Sequence, residues 1–294
     1  MVNIKEIKSV KLTPFTRMSA SIYGILGLIA AVVMSIVLTI VQAAGLIPQL
    51  GHFNVLTGFG VPLIILFPIG AFFITIAVSF FSVTLYNLLV PRLGGIKLEL
   101  EDNDVVKIPV VSYALILAAI GSIWAFIAGL VTAAVISPVF SLISSIPATS
   151  NIAANFTNAT GATIPTGSEI GAAGVLVSLV LIIGLPIMAF VFGFIWNALF
   201  ALFYNYIATR VSKIKLEFAQ ITGNLHELKY IPVLPTALAV AIVYALLGII
   251  SGILSRNYAD FLTNFVFYFI GTALIALLYN YLAPKIGSIK LNLE

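Results

Sequence analysis

The chain contains no cysteine and only 2 histidines, and just 8% of its 294 residues are charged. Without cysteine there are no disulfide bridges and no thiolate metal sites. The histidines, His52 and His226, fall on opposite sides of the membrane layout derived below, so they do not share a metal. No His-x-x-x-His pair or glutamate-rich helix is present, and neither a zinc nor a di-iron centre is expected. The shortage of charge excludes more. An ordinary soluble domain is about a quarter charged, whereas this chain is 61% hydrophobic with a mean hydropathy of +1.18. It lacks the polar residues needed to cover a core in water, so its solvent is lipid. A soluble enzyme, a disordered scaffold and a nucleic-acid binder are excluded, despite a net charge of +4. No catalytic cluster and no cofactor motif is legible: Gly94-Gly95 lacks the spacing of a phosphate-cradling loop, and a Ser–His–Asp set would have to ignore topology.

What is present is apolar length. A hydrocarbon core about 30 Å thick needs roughly 20 apolar residues of helix. Six runs qualify, near residues 18–44, 61–90, 109–136, 171–208, 232–254 and 261–283. The first is too long, and lacks the small-residue cleavage site, for a signal peptide. The fourth exceeds the membrane's need and contains Pro186, which predicts a bent helix; Pro68 predicts a kink in the second. No ionisable residue falls inside these runs, which argues against ion-coupled transport through buried carboxylates.

Charge sets the orientation. If six helices alternate, every one of the 14 Lys and Arg except Arg256 lies on one side, and the positive-inside bias makes that side the cytoplasm. The expectation is a multi-pass protein of the cytoplasmic membrane with both termini inside. The segment 137–170 becomes a long outer loop, rich in Ser, Thr, Asn, Ala and Gly. It holds two N-x-[ST] tripeptides, whose Asn155 and Asn158 are possible glycan acceptors.

The chain also repeats itself. Tyr86-Asn87, Tyr204-Asn205 and Tyr279-Asn280 each open a segment with a basic residue six positions after the Tyr (Arg92, Arg210, Lys285). Ile-Lys-Leu follows at ten to twelve positions, bringing Lys97, Lys215 and Lys290 into register. A weaker match, basic residue then proline, precedes each odd-numbered run. The chain therefore reads as three units, 1–103, 104–222 and 223–294, together forming one integral membrane domain. Each unit has two spans, so the copies are parallel, unlike the inverted repeats of many transporters. Six helices about a pseudo-threefold axis is the expected arrangement. Between the spans the period changes to two: Ile96, Leu98 and Leu100 alternate with Lys97, Glu99 and Glu101, the mark of a half-buried strand. Hairpins are expected at 96–110 and 214–231, and the terminal segments 7–12 and 289–293 are free to form a third. The fold class is thus an all-α polytopic membrane protein with short cytoplasmic β-hairpins, which closure into a small barrel would free of exposed edges.

The tail Tyr86-Asn87…Gly94-Gly95-Ile96-Lys97-Leu98-Glu99-Leu100 resembles the end of an actinobacterial two-span transmembrane domain family of unknown function, present here in three tandem copies. Gly287-Ser288 stands where the family has a second glycine, and no Trp-Ser-Val-type segment precedes the first run. The resemblance implies an envelope-associated membrane protein without an assigned reaction.

Two functions compete on these residues. In one, Tyr86, Asn87, Tyr204, Asn205, Tyr279 and Asn280 are structural, the tyrosines as interfacial anchors and the asparagines as helix caps or interhelical bonds. The protein is then a non-enzymatic scaffold or membrane subunit that presents its β-layer to a protein partner. In the other, the six ring a passive pore or uncoupled transport path on the axis. Arg92, Lys97, Arg210, Lys215, Lys285 and Lys290 are candidate contacts for anionic lipid headgroups of the bilayer. Gly24, Gly27, Gly121, Ala125, Gly248 and Gly252 are expected to pack adjacent units together.

Overall fold

In a computed structural model, residues 2–45, 60–145 and 167–294 are described. His52, Asn155 and Asn158 lie outside them, as does most of the segment 137–170.

The order of elements is β1 (Asn3–Val10), α1 (Leu12–Ala43), α2 (Val61–Leu93), β2 (Lys97–Glu101), β3 (Asp104–Lys107), α3 (Val110–Ser145), α4 (Gly167–Leu179), α5 (Leu185–Phe203), β4 (Glu217–Thr222), β5 (Leu225–Tyr230), α6 (Val233–Ser255), α7 (Asp260–Ile286) and β6 (Lys290–Leu293). Among the described residues, six helical stretches are long and apolar enough to cross a membrane: Leu12–Ala43, Val61–Leu93, Val110–Val139, Ala172–Val211, Val233–Ser255 and Asp260–Ile286. Several boundaries differ from expectation. The third helix runs through Pro138 to Ser145, so the loop is shorter than 137–170. The stretches also extend past the apolar runs, which themselves hold no ionisable residue, and so take in Arg17, Arg92, Arg210, Asp260 and Lys285 near their ends.

Pro186 shapes the fourth stretch as its chemistry requires. Proline has no N–H to donate and its ring crowds the carbonyl four residues back. The turns just before it, Val180–Gly184, are π-helical and link α4 to α5. A second π turn, Tyr204–Ala208, follows α5 and leads into the last helical turn, Thr209–Val211.

The chain forms two compact units. One comprises Ala114–Ala198, and the other Met1–Tyr113 together with Leu199–Glu294. Within the smaller, Gly129 lies where any Cβ would overlap the carbonyl oxygen of Leu181, so only glycine admits that approach. Ser122 Oγ donates to the Pro186 carbonyl at 2.9 Å.

The larger unit contains the whole sheet. Its six strands are antiparallel, in the order β3-β2-β1-β6-β5-β4. The expected hairpins β2–β3 and β4–β5 are present, and the terminal strands β1 and β6 pair, Ile7 with Leu293 and Val10 with Leu291. One strand is displaced. Ile214–Phe218 was the expected span, but the ladder of β4 begins only at Glu217. The residues before it cross to β3 instead: Val105 N–H donates to the Ile214 carbonyl and Leu216 N–H to the Asn103 carbonyl, each at 2.9 Å. Asp104 and Lys215 form the bridge between them. The two outer strands are thereby joined and the sheet closes on itself, which satisfies edges that would otherwise template aggregation.

Side-chain alternation explains how this sheet is filled. Leu98 and Leu100 on β2 and Leu291 and Leu293 on β6 are buried, while the residues between them are wholly or partly exposed. The buried leucines of β2 join Val105, Tyr204, Ala208, Val243 and Leu247 in one core, and Leu228 joins Met18, Ile22, Tyr279 and Leu282 in a second. At α6 the buried positions include Ala237, Ala239, Ala241, Val243 and Ala245, small side chains that let other elements approach on more than one face.

The glycine pairs pack closer to home than the sequence reading held. A Cβ at Gly27 would meet the Cβ of Ala71 at 2.9 Å, and Gly24 faces Phe72, so both seat α1 on α2. Gly248 faces the Asp260 carbonyl and Gly252 that of Asn257, which seats α6 against the entry to α7. In both cases the contact lies within one two-span hairpin rather than between successive units. Gly121 has no such neighbour within 4 Å.

Candidate functional site

The three Tyr-Asn pairs stand in the last two turns of α2, at the start of the π turn that follows α5, and in the last two turns of α7. Each reaches the strand that leads into the preceding helix. Asn87 Oδ1 accepts from Val10 N–H at 2.9 Å and its Nδ2 donates to the Val10 carbonyl at 2.9 Å. Asn205 holds Ile108 in the same way, both bonds at 2.8 Å. Asn280 holds Ile231 at 2.9 and 2.8 Å. Each clasped residue lies at a strand-to-helix junction, at or just past the end of a ladder and short of the next helix's own bonds. A carboxamide offers one acceptor and two donors in a plane, so it pairs with the backbone of a single residue as a neighbouring strand would. Proline follows Ile108 and Ile231 and favours the extended backbone there.

The tyrosines splice the sheet two turns of chain away. Ile7, Val105 and Leu228 each donate their N–H to the carbonyl of a tail residue, Ile96, Ile214 and Ile289, at 2.9 Å. The return bond of each pair is made through a tyrosine hydroxyl. Tyr86 OH donates to the Ile7 carbonyl at 2.6 Å and accepts from Ile96 N–H at 3.0 Å. Tyr204 OH donates to Val105 at 2.5 Å and accepts from Ile214 N–H at 2.9 Å. Tyr279 OH donates to the Leu228 carbonyl and accepts from Ile289 N–H at 3.2 Å. The rings are 6%, 0% and 1% exposed. Each phenol therefore fills the gap where a lead-in strand and a tail strand diverge, and its hydroxyl spares two backbone groups from burial without a partner.

These contacts are structural in kind, but they are not the helix caps or interhelical bonds expected of the asparagines. The asparagines neither cap their own helix nor bond to another; they hold strand-end backbone. The tyrosines are buried within the protein. The spacing of ten from each Tyr to the Ile of Ile-Lys-Leu was the visible signal, and the partner strand was not.

The basic residues do not act as one set. Arg92, Arg210 and Lys285 are exposed at the helix ends, with Lys285 Nζ 3.5 Å above the Tyr281 ring. Lys215 is paired with Asp104 at 3.2 Å, beside Lys213 at 3.8 Å. Lys97 is exposed on β2, and Lys290 is half-buried on β6. Glu6, on β1, was not singled out by sequence. Its Oε1 accepts from Gly95 N–H at 2.7 Å and lies 3.1 Å from Lys8 Nζ. The Gly95 bond and the nearby lysines outweigh burial and hold its carboxyl below the usual value. Gly95 is required here, since a Cβ would overlap the Ile7 carbonyl oxygen. Among the described residues, no three His, Cys, Asp or Glu side chains stand close enough together to hold a metal.

No protein-family model matches the chain, and comparisons with curated proteins and with solved structures return no match.

Proposed function

We propose that the chain is a non-enzymatic structural subunit of a cytoplasmic membrane, its helices anchoring a closed β-layer that engages a protein partner on the cytoplasmic side. One observation carries the reading. The most distinctive polar side chains of the apolar stretches, the three Tyr-Asn pairs, spend their hydrogen-bonding capacity on the backbone of the sheet. Groups engaged in this way build a rigid platform, and these three amides and three phenols are committed to the sheet rather than to a conducting path or a solute. The threefold recurrence of the clasp supports three parallel two-span repeats, and the basic asymmetry supports both termini in the cytoplasm. The outward side of the layer offers apolar residues: Ile4 on β1 is 63% exposed and Ile221 on β4 is 41% exposed. These two side chains are the positions at which the proposed partner is tested.

Purification from native membranes in mild detergent tests the reading. A stoichiometric partner is expected with the wild-type chain and is lost from Ile4→Lys and Ile221→Lys variants that keep their thermal stability. A solitary particle in every mild detergent, with no partner captured by in-cell cross-linking, refutes it.

A further inference from the structure

We propose that a cleft between α1 and α2 is a binding site for one anionic membrane phospholipid, with its phosphate on Arg17 and an acyl chain along the two helices. The three clasps give a common origin for comparing the entry helices. Counted from Val10, Ile108 and Ile231, the residues six and seven positions on are Thr16-Arg17, Ala114-Leu115 and Ala237-Leu238. Ala114 and Ala237 are fully buried, so the fold is served by a small apolar residue at the first of these positions. Only the first entry helix carries a hydroxyl and a cation there. Arg17 lies five residues into α1, near the end that the basic asymmetry places at the cytoplasmic face, where an arginine side chain reaches the headgroup layer. Arg17 is exposed, and it makes no hydrogen bond or ion pair among the described residues; its guanidinium lies beside Gly287, at the end of α7.

A cleft of about 300 Å³ opens next to it, lined by Thr13, Thr16 and Arg17 at one end and by Phe72, Ile76 and Phe80 along the side. Thr16 borders the cleft, and its Oγ1 is buried and makes no hydrogen bond. Beyond Phe72 the cleft continues into a second of about 570 Å³, bordered by Gly24, Ile25 and Pro68. From Leu12 to Ile25 the helix rises about 20 Å, against a leaflet half-thickness of about 15 Å. The groove therefore has the length of one acyl chain. Its polar end sits where the phosphate of that lipid lies, and guanidinium binds phosphate through two parallel hydrogen bonds. A lipid whose phosphate is already neutralised by choline gains less from Arg17 than one that keeps its net charge.

The full-length chain in detergent, titrated with dioleoyl-phosphatidylglycerol or dioleoyl-phosphatidylcholine and read by native mass spectrometry, tests the site. One phosphatidylglycerol is expected to be retained about tenfold more tightly than phosphatidylcholine. Arg17→Leu, the residue of the other two entry helices, should fold normally and erase that preference, while Arg17→Lys keeps part of it. Ile76→Trp should weaken both lipids by filling the cleft. Equal loss of preference in Lys97→Ala would assign the effect to overall charge and overturn the proposal. So would displacement of the lipid by inorganic phosphate alone at comparable concentration, which would mean that a free anion is the ligand. Wild-type binding of the two lipids with equal affinity also overturns it.

Discussion

Asn205 grips both backbone groups of Ile108, its carboxamide oxygen and nitrogen each 2.8 Å from their partners, across 97 residues of sequence. The same two-point grip joins Asn87 to Val10 and Asn280 to Ile231. An amide used as a surrogate strand fixes where each helix starts relative to the sheet. It does so without a further strand.

The tyrosine hydroxyls are the first place to test this. Tyr204→Phe removes one oxygen and leaves the Val105 carbonyl and the Ile214 N–H buried without partners. A loss of about 1–3 kcal/mol is expected for leaving such groups unsatisfied, read as a lower unfolding temperature in detergent. Tyr86→Phe and Tyr279→Phe should behave alike, since their bonds are the same.

Gly95 gives a steric test. In Gly95→Ala the new methyl group meets the Ile7 carbonyl, which belongs to β1 backbone and cannot swing aside. Strain must pass into the β1–β2 pairing, and a cost above about 1 kcal/mol is expected. Gly121→Ala, inside α3 and with no neighbour in reach, should be neutral or stabilising by up to about 1 kcal/mol. Opposite signs for the two variants would place the cost of Gly95→Ala in the close approach to β1.

The Glu6 carboxyl predicts a pH dependence. Its folded pKa lies below its ordinary value near 4.5. A group with a depressed folded pKa contributes stability above the unfolded value and loses it as pH falls through the folded one. The protection factor of the Gly95 amide, taken relative to its intrinsic exchange rate at each pH, should therefore fall below about pH 4.5, and Glu6→Gln should flatten that response. An unchanged profile in the variant would show that Glu6 does not hold the junction.

Orientation is checked by labelling. The chain has no native cysteine, so single cysteines report cleanly. Tyr258, 81% exposed in the turn between α6 and α7, lies at the opposite end of those helices from the sheet. An impermeant maleimide applied to intact cells should label Tyr258→Cys and leave Glu101→Cys unlabelled. Labelling of Glu101→Cys from outside reverses the assignment.

Much of this architecture is legible in the sequence because it is periodic. The apolar runs give six helices, and the alternation at Ile96–Glu101 gives a strand with Leu98 and Leu100 inward. The features that escaped are those without a period. The clasps join residues 49 to 97 positions apart, and a Tyr-Asn dipeptide does not state which backbone it holds. The shift of β4 to Glu217 follows from Ile214 and Leu216 bonding to β3, a pairing that depends on closure of the whole sheet. The partners of Gly248 and Gly252 depend on how tightly the chain turns at Asn257, where Arg256 takes a left-handed conformation. The significance of Arg17 emerges only once the clasped residues align it with Leu115 and Leu238.

The most direct test of the structural role combines a leak assay with a stability measurement on one variant. Asn87, Asn205 and Asn280 are replaced together by leucine, and wild type and variant are reconstituted into liposomes and assayed for ion and small-solute leak. The wild type should leak no more than empty liposomes, and the triple variant should unfold earlier, by about 1–3 kcal/mol for each orphaned pair. A wild-type leak that disappears in a triple variant of undiminished stability would contradict the account.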